Sequence, residues 1–220
     1  MRVIFHEKLD SLFDDLSTMA GLIRHAVADA TEALLSGDAE IAERVISADK
    51  EVDDLRERTE ENAFALLSLE APVAGDLRVV VAALRMVTEL ERMGDLSVHV
   101  AKIARLRVPE LAVPEPVRPT LERMAKVAET MTARVETIIA DRDAESAADL
   151  RLIDDEMDQL RRATFTAMLS DDWPHGVEAA VDLALLGRYY ERIADHAVSV
   201  ANRVVFVVTG ENPSAQQVTR

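Results

Sequence analysis

The sequence predicts an all-α chain built as two tandem three-helix bundles. Three observations carry this. Gly and Pro number only seven each in 220 residues and aromatics are 4%. Ala, Leu, Val, Glu, Asp and Arg dominate instead, which favours helix over sheet. Apolar residues recur at helical spacing through six long segments. Finally, the scheme repeats: Asp38-Ala39-Glu40 returns as Asp143-Ala144-Glu145, and Leu16 and Met19 return as Leu121 and Met124, each 105 positions later.

The first helix is predicted from about His6 to Ser36, after a short lead-in over residues 1–5. Leu9, Leu12, Phe13, Leu16, Met19, Ala20, Ile23, Ala26, Val27 and Ala30 form its inward stripe. Gly37 stops it and Asp38 caps the next. The second helix runs to about Leu69, with Ile41, Val45, Ala48, Val52, Leu55, Phe64 and Leu67 inward and a very polar middle, Asp49 to Asp54. Pro72 and Gly75 punctuate a loop. The third helix, from about Gly75 to Leu106, is apolar almost all round, which places it centrally in its bundle. Pro109, Pro114, Pro116 and Pro119 then exclude a continuous helix and mark a linker over 109–119. This sets a first repeat at 6–108 and a second at 120–210. The second holds helices over about 120–141, 143–169 and 177–208, with Trp173-Pro174-His175-Gly176 as its loop and Gly210 as its stop. Residues 211–220 read as a polar, mobile tail.

Composition narrows the function. The chain is 49% apolar and 30% charged, enough for a sizeable core. Its net charge of −16 opposes binding to a nucleic-acid backbone and suits cations or basic protein surfaces. With no cysteine there are no disulfides, thiolate metal sites or cysteine nucleophiles. The N-terminus lacks the apolar core of a signal peptide, and no apolar run approaches the ~20 residues that span a bilayer. A cytoplasmic location is the expectation.

Two acidic phrases stand out: Glu91-Arg92-Met93-Gly94-Asp95 and Glu191-Arg192-Ile193-Ala194-Asp195. Acids four apart share a helix face and repel by a few tenths of a kcal/mol, so something must compensate. Asp49 and Asp53 lie about as far before the first loop as Glu91 and Asp95 lie after it. Asp154 and Asp158 balance Glu191 and Asp195 about the second loop in the same way. In antiparallel helices each set of four carboxylates meets at one height. Such a set shifts its pKa values up, pairs with arginines (Arg56, Arg58, Arg92, Arg161, Arg162 and Arg192 are available) or recruits a cation. Oxygen ligands suit Mg²⁺, Ca²⁺ or Mn²⁺, and carboxylates also hold Fe or Zn.

Other candidates are weaker. His196 follows Asp195 where Leu96 stands in the first repeat, and His99 lies one turn after Asp95. His6, His25 and His175 have no ligand spacing. Arg188, Tyr189 and Tyr190 are expected to pack or meet solvent. No phosphate-cradling Gly-rich loop, Ser–His–Asp arrangement or His-Glu-x-x-His occurs. Nor does any Glu-x-x-His, which a ferritin-like di-iron oxidase needs on two helices.

Pro72-Val73-Ala74-Gly75-Asp76-Leu77-Arg78, followed by Glu91-Arg92-Met93-Gly94-Asp95, resembles the PhoU family of phosphate-transport accessory and regulatory proteins. So does Arg188-Tyr189-Tyr190 leading into Glu191 to His196. The resemblance covers about 6–210, and the composition is similar to actinobacterial members. It implies two similar three-helix bundles, often in a homodimer. It also implies a non-enzymatic, cytoplasmic negative regulator, peripheral to the membrane, that links the phosphate ABC transporter and its ATPase subunit to a histidine kinase. Metal clusters on Glu/Asp-x-x-x-Asp motifs are implied too. By position these are Asp49, Asp53, Glu91 and Asp95, then Asp154, Asp158, Glu191 and Asp195, holding Fe, Zn, Mn or Mg. Ala194 departs from the family's frequent Gly, and Leu96 from its frequent His. The alternative is a metal-dependent enzyme or metal-storing bundle that uses the same carboxylates.

Overall fold

The protein is described here by a computed structural model covering residues 2–211. The expected tail lies outside the described residues, apart from Glu211. Among the described residues, six long helices and one short 3-10 turn make up the fold: α1 Arg2–Ser36, α2 Ala39–Glu70, α3 Gly75–Arg107, the turn Glu115–Val117, α4 Arg118–Asp141, α5 Ala144–Met168 and α6 Gly176–Thr209. The family of elements is as the sequence predicts. Two boundaries differ: α1 begins at Arg2, because Phe5 already packs into the core and the expected lead-in is helical, and α4 begins at Arg118, with Pro119, expected in the linker, in its first turn.

The stops and starts follow local chemistry. Gly37 has φ +71°, which it adopts without Cβ strain. Arg142 holds the equivalent place with φ +52°. It is anchored by its stack over Phe13, 4.4 Å from the ring centre, and by an ion pair with Asp10. Asp38 accepts hydrogen bonds from the amides of Glu40 and Ile41, and Asp143 accepts them from Glu145 and Ser146. Each satisfies two of the amides orphaned at a helix start. The repeat is thus visible even in its caps.

The first bundle packs α1, α2 and α3 together, and the second packs α4, α5 and α6. The two are not separate bodies. α1 lies against α4 and α3 against α6, so one core runs through both repeats. α2 and α5 flank it on the outside. Both inner pairs are antiparallel. Arg24 meets Glu136 while Arg142 meets Asp10 on the α1–α4 side. On the α3–α6 side, Arg78 donates to the Val207 carbonyl at one end, and Arg107 pairs with Asp182 and Glu178 at the other. Repeat offset maps Arg78 onto Glu178, so the two ends use the same positions with different chemistry.

Burial matches the predicted stripes on α1 and α3. Leu12, Leu16, Met19 and Ile23 are fully buried, as are Met86, Val87 and Leu90. Each such side chain stabilises the fold by about 1.5–3 kcal/mol relative to exposure. α2 differs from expectation. Phe64 is 57% exposed and Ala48 is exposed, while Ala63 and Leu66 point inward. An outer helix touches only two neighbours, so its buried stripe is narrow and Phe64 falls beside it. The linker is also packed rather than loose: Ala112, Val113 and Val117 are buried.

Candidate carboxylate clusters

α2 and α3 bring the first acidic set together. Asp49 reaches toward Gly94, where an added Cβ would lie 3.5 Å from Asp49 Oδ1 and 3.4 Å from Val52 Cγ1. The Asp49 carboxylate thus lies beside α3, one residue before Asp95, and a methyl at position 94 would meet it at ordinary contact distance. Burial pushes the Asp49 carboxyl up from its ordinary value, and the Asp95 and Asp53 charges push it further, against a smaller pull from Lys102. Burial raises Glu91 as well, with Asp95 and Asp53 adding to it and Arg92 and Arg56 opposing. Asp49 and Glu91 thus each feel the charges of Asp53 and Asp95, one on either helix.

The second set repeats this between α5 and α6. Burial is the largest cause that pushes Asp154 up to about 6, followed by the charges of Asp195, Asp158, Asp155 and Glu191. Glu191 is raised by burial and Asp195, and lowered in part by Arg188 and Arg161. Asp155 joins this set without having been singled out in the sequence. It lies next to Asp154, but no repeat pattern marks it: its first-repeat equivalent is Lys50.

Arginines compensate some of these charges. Arg92 lies 3.5 Å from Glu91 and 3.2 Å from Asp95, and Arg56 lies 3.7 Å from Asp53. Arg188 bonds Glu191, with Arg161 at 3.9 Å from the same carboxylate. Arg56 and Arg161 are themselves repeat equivalents. Of the six arginines expected as partners, Arg56, Arg92 and Arg161 pair with acids of the two sets, and Arg58 pairs with Asp15 instead. Asp49 and Asp154, both partly buried, have no arginine within ion-pair distance.

The donor chemistry fits a hard cation: each set offers four carboxylates from two helices. As they stand, no three acidic or histidine side chains among the described residues converge closely enough to enclose an ion. A cation would draw Asp53, Asp95, Asp158 and Asp195, which lie at the rim, inward and displace Arg92 and Arg188. Divalent or ferric ions there would neutralise the excess charge and tie α2 to α3 and α5 to α6.

The histidines and tyrosines have other partners. His196 Nδ1 lies 2.6 Å from Glu89 Oε2, which joins α6 to α3 rather than completing the Asp195 set. His99 stacks on Tyr189 at 5.3 Å between ring centres, also across the α3–α6 seam. Tyr190 is fully buried and its hydroxyl donates to Thr31 Oγ1 at 2.9 Å, since Thr31 donates its own proton to the Val27 carbonyl. These are packing roles, as expected for the tyrosines. Among the described residues no helix is long and apolar enough to cross a membrane.

Known proteins agree with this architecture. The PhoU domain family matches residues 16–104 and again 121–204, one match per repeat. The chain is 48% identical over 213 residues to the phosphate-specific transport system accessory protein PhoU homolog 2 of Mycobacterium tuberculosis, covering 97% of this chain and 100% of that one. It is 47% identical to PhoU homolog 1 of Mycobacterium leprae, over 97% of this chain and 96% of the relative. Among solved structures, the phosphate transport system regulatory protein PhoU from Streptococcus pneumoniae superposes with TM-score 0.85 at 26% identity, covering 94% of this chain and 98% of that one. PhoU from Pseudomonas aeruginosa gives 0.83 at 25% identity, over 94% and 100%. Two matched repeats, near-complete coverage of curated relatives and a shared six-helix architecture identify this chain as a member of the PhoU family.

Proposed function

We propose that this protein is a non-enzymatic regulator of phosphate uptake. It holds the phosphate-starvation two-component response off while phosphate is plentiful, by linking the ATPase subunit of the phosphate ABC transporter to the sensor histidine kinase at the cytoplasmic face of the membrane. The observation that carries this reading is the full-length likeness to accessory proteins of phosphate-specific transport, in both repeats. The surface supports an adaptor: long exposed helices, a strongly acidic charge and carboxylates on open helix faces. The eight acids Asp49, Asp53, Glu91, Asp95, Asp154, Asp158, Glu191 and Asp195 hold iron, zinc, manganese or magnesium in this reading, which stiffens each bundle rather than activating a substrate. A homodimer belongs to the same proposal.

Deleting the gene, together with any second PhoU-type gene, tests the regulatory role. Transcripts for phosphate uptake should rise in phosphate-rich medium and return to baseline on complementation. Unchanged transcript levels would overturn the reading.

A further inference from the structure

Two arginines on the α3–α6 seam carry buried hydrogen-bond donors that nothing accepts. The Nε–H groups of Arg78 and Arg203 are buried and have no partner among the described residues. Arg78 is held in place by other contacts. It donates through Nη2 to the Val207 carbonyl at 3.2 Å, and its guanidinium lies 5.9 Å from the centre of the Phe206 ring. Arg85 lies on the same seam and is exposed. Among the described residues, none of Arg78, Arg85 and Arg203 has a carboxylate within ion-pair distance.

The helix register gathers these three side chains. Two contacts fix it, Arg78 with Val207 and Glu89 with His196. On α3, Arg85 lies seven residues after Arg78 and four before Glu89. On α6, Arg203 lies seven residues after His196 and four before Val207. Steps of seven and four keep each set on one helix face, the face that meets the other helix. From the helical rise, Arg203 sits about 6 Å along the seam from Arg78, and Arg85 about 4–5 Å further. Long, flexible side chains at that spacing reach a common point.

No acid compensates them. Leu77 to Thr88 on α3 and His196 to Gly210 on α6 contain none, in a chain with 41 acids against 25 lysines and arginines. Asp76 and Glu211, which bound this region, pair with none of the three, and Glu89 is engaged by His196. Arg151 adds a fourth guanidinium beside Arg203, its partner being the neutral Asn202 Oδ1 at 2.7 Å. The opposite end of the seam is built differently. There Arg107 meets both Asp182 and Glu178. Repeat offset replaces Glu178 with Arg78 and Asp182 with Ala82, so the acids are gone and a cation stands in place of one. Like charges so arranged repel, and fold stability does not account for them.

A carboxylate carries one charge and two coplanar oxygens, which match a single guanidinium fork. A phosphate group carries close to two charges and three acceptor oxygens, which suit several guanidiniums converging from two helices. We propose that Arg78, Arg85 and Arg203 bind the phosphate group of a small free ligand, either inorganic phosphate or a phosphate monoester. The inference stands on the seam's residues and is independent of the regulatory reading, which the gene deletion tests. Within that reading it gives the protein its own contact with phosphate.

Calorimetric titration of the full chain with inorganic phosphate, in chelator and against chloride at equal ionic strength, tests this. The wild type should bind phosphate and melt higher in phosphate than in chloride. Arg85→Gln with Arg203→Gln should weaken binding at least about tenfold and abolish the rise in melting. Arg85→Gln alone, at an exposed site, should weaken it in the same direction and covers the case of a poorly folded double variant. Arg134→Gln, an exposed arginine of α4 with no ion-pair partner, should bind like the wild type. A glycerol phosphate titrated alongside separates the sources: tighter binding than the free ion assigns the seam to a monoester, weaker binding to inorganic phosphate. Acetate bound as tightly as phosphate would overturn the proposal in favour of a carboxylate site. So would a wild type that binds neither phosphate ligand, or a folded double variant that binds as well as the wild type. Capture on anionic phospholipid vesicles that the double variant loses, with neither small ligand bound, would assign the arginines to a membrane and overturn it as well.

Discussion

Replacing Asp154 with asparagine should stabilise the metal-free protein above pH 7, although it deletes a charge that the fold brings partly out of water. The Asp154 carboxyl moves from an ordinary 3.8 up to about 6 in the folded chain. A folded-state pKa above the unfolded one means that the native state holds the proton more tightly. Stability therefore falls as pH rises through the window from about 4 to about 6, and the penalty is fully present above it. At about 1.4 kcal/mol per pH unit the upper bound is about 3 kcal/mol. Asp154 is only partly buried, its shift is shared with neighbouring acids, and water and salt screen it. The expected net gain is about 1 kcal/mol. For a chain of this size that raises Tm by about 2–4 °C. Thermal unfolding followed by circular dichroism, in chelator at pH 8 and again at pH 4, reads this directly. The gain should be present at pH 8 and vanish at pH 4. An Asp154→Asn protein that melts at or below the wild type at pH 8 would refute the clustering argument, as would a gain that is equal at both pH values.

Other substitutions probe the frame that holds the clusters. Gly94→Ala should be neutral or gain up to about 1 kcal/mol from helix propensity. Its new methyl meets Val52 and Asp49 at ordinary contact distances, and Ala194 already fills the equivalent place; urea denaturation showing a loss beyond about 1 kcal/mol would contradict this. Arg107→Met strands the buried Asp182 carboxylate and should cost about 3 kcal/mol, with Arg107→Met plus Asp182→Leu recovering most of it. Equal losses in the single and double variants would mean that the pair matters for packing alone. Tyr190→Phe should cost about 1 kcal/mol through the lost bond to Thr31, and unchanged stability by the same assay would dismiss that bond as a contributor.

Much of the fold was legible because its signals are local. Gly37, Asp38 and Gly210 mark helix ends through their own backbone preferences, and each mark was correct; Asp143, expected as the first residue of its helix, caps it as Asp38 caps α2. The meeting of Asp49 with Asp95 followed from helix rise and loop position alone. What escaped sequence reasoning depends on how the repeats pack on each other. The bond between His196 and Glu89, the stack of His99 on Tyr189 and the burial of Asp182 under Arg107 all cross the α3–α6 seam. No periodicity within one helix announces a partner about a hundred residues away. Phe64 was misplaced for a related reason: its spacing fits a helix stripe, but α2 has no third neighbour to cover that flank. Gly94 carried a readable hint, since a small residue inside an acidic phrase admits a close neighbour.

Metal content tests the two carboxylate clusters most directly. The full-length protein, incubated with iron, zinc, manganese or magnesium and then dialysed, should retain ions on elemental analysis and melt higher than in chelator. Glu91→Ala with Asp95→Ala should lose the first cluster's share, and Glu191→Ala with Asp195→Ala the second's. Paired loss with the other cluster intact would support two independent four-carboxylate sites. A wild-type protein that retains no ion and melts identically with and without metal would contradict the cation reading of both clusters.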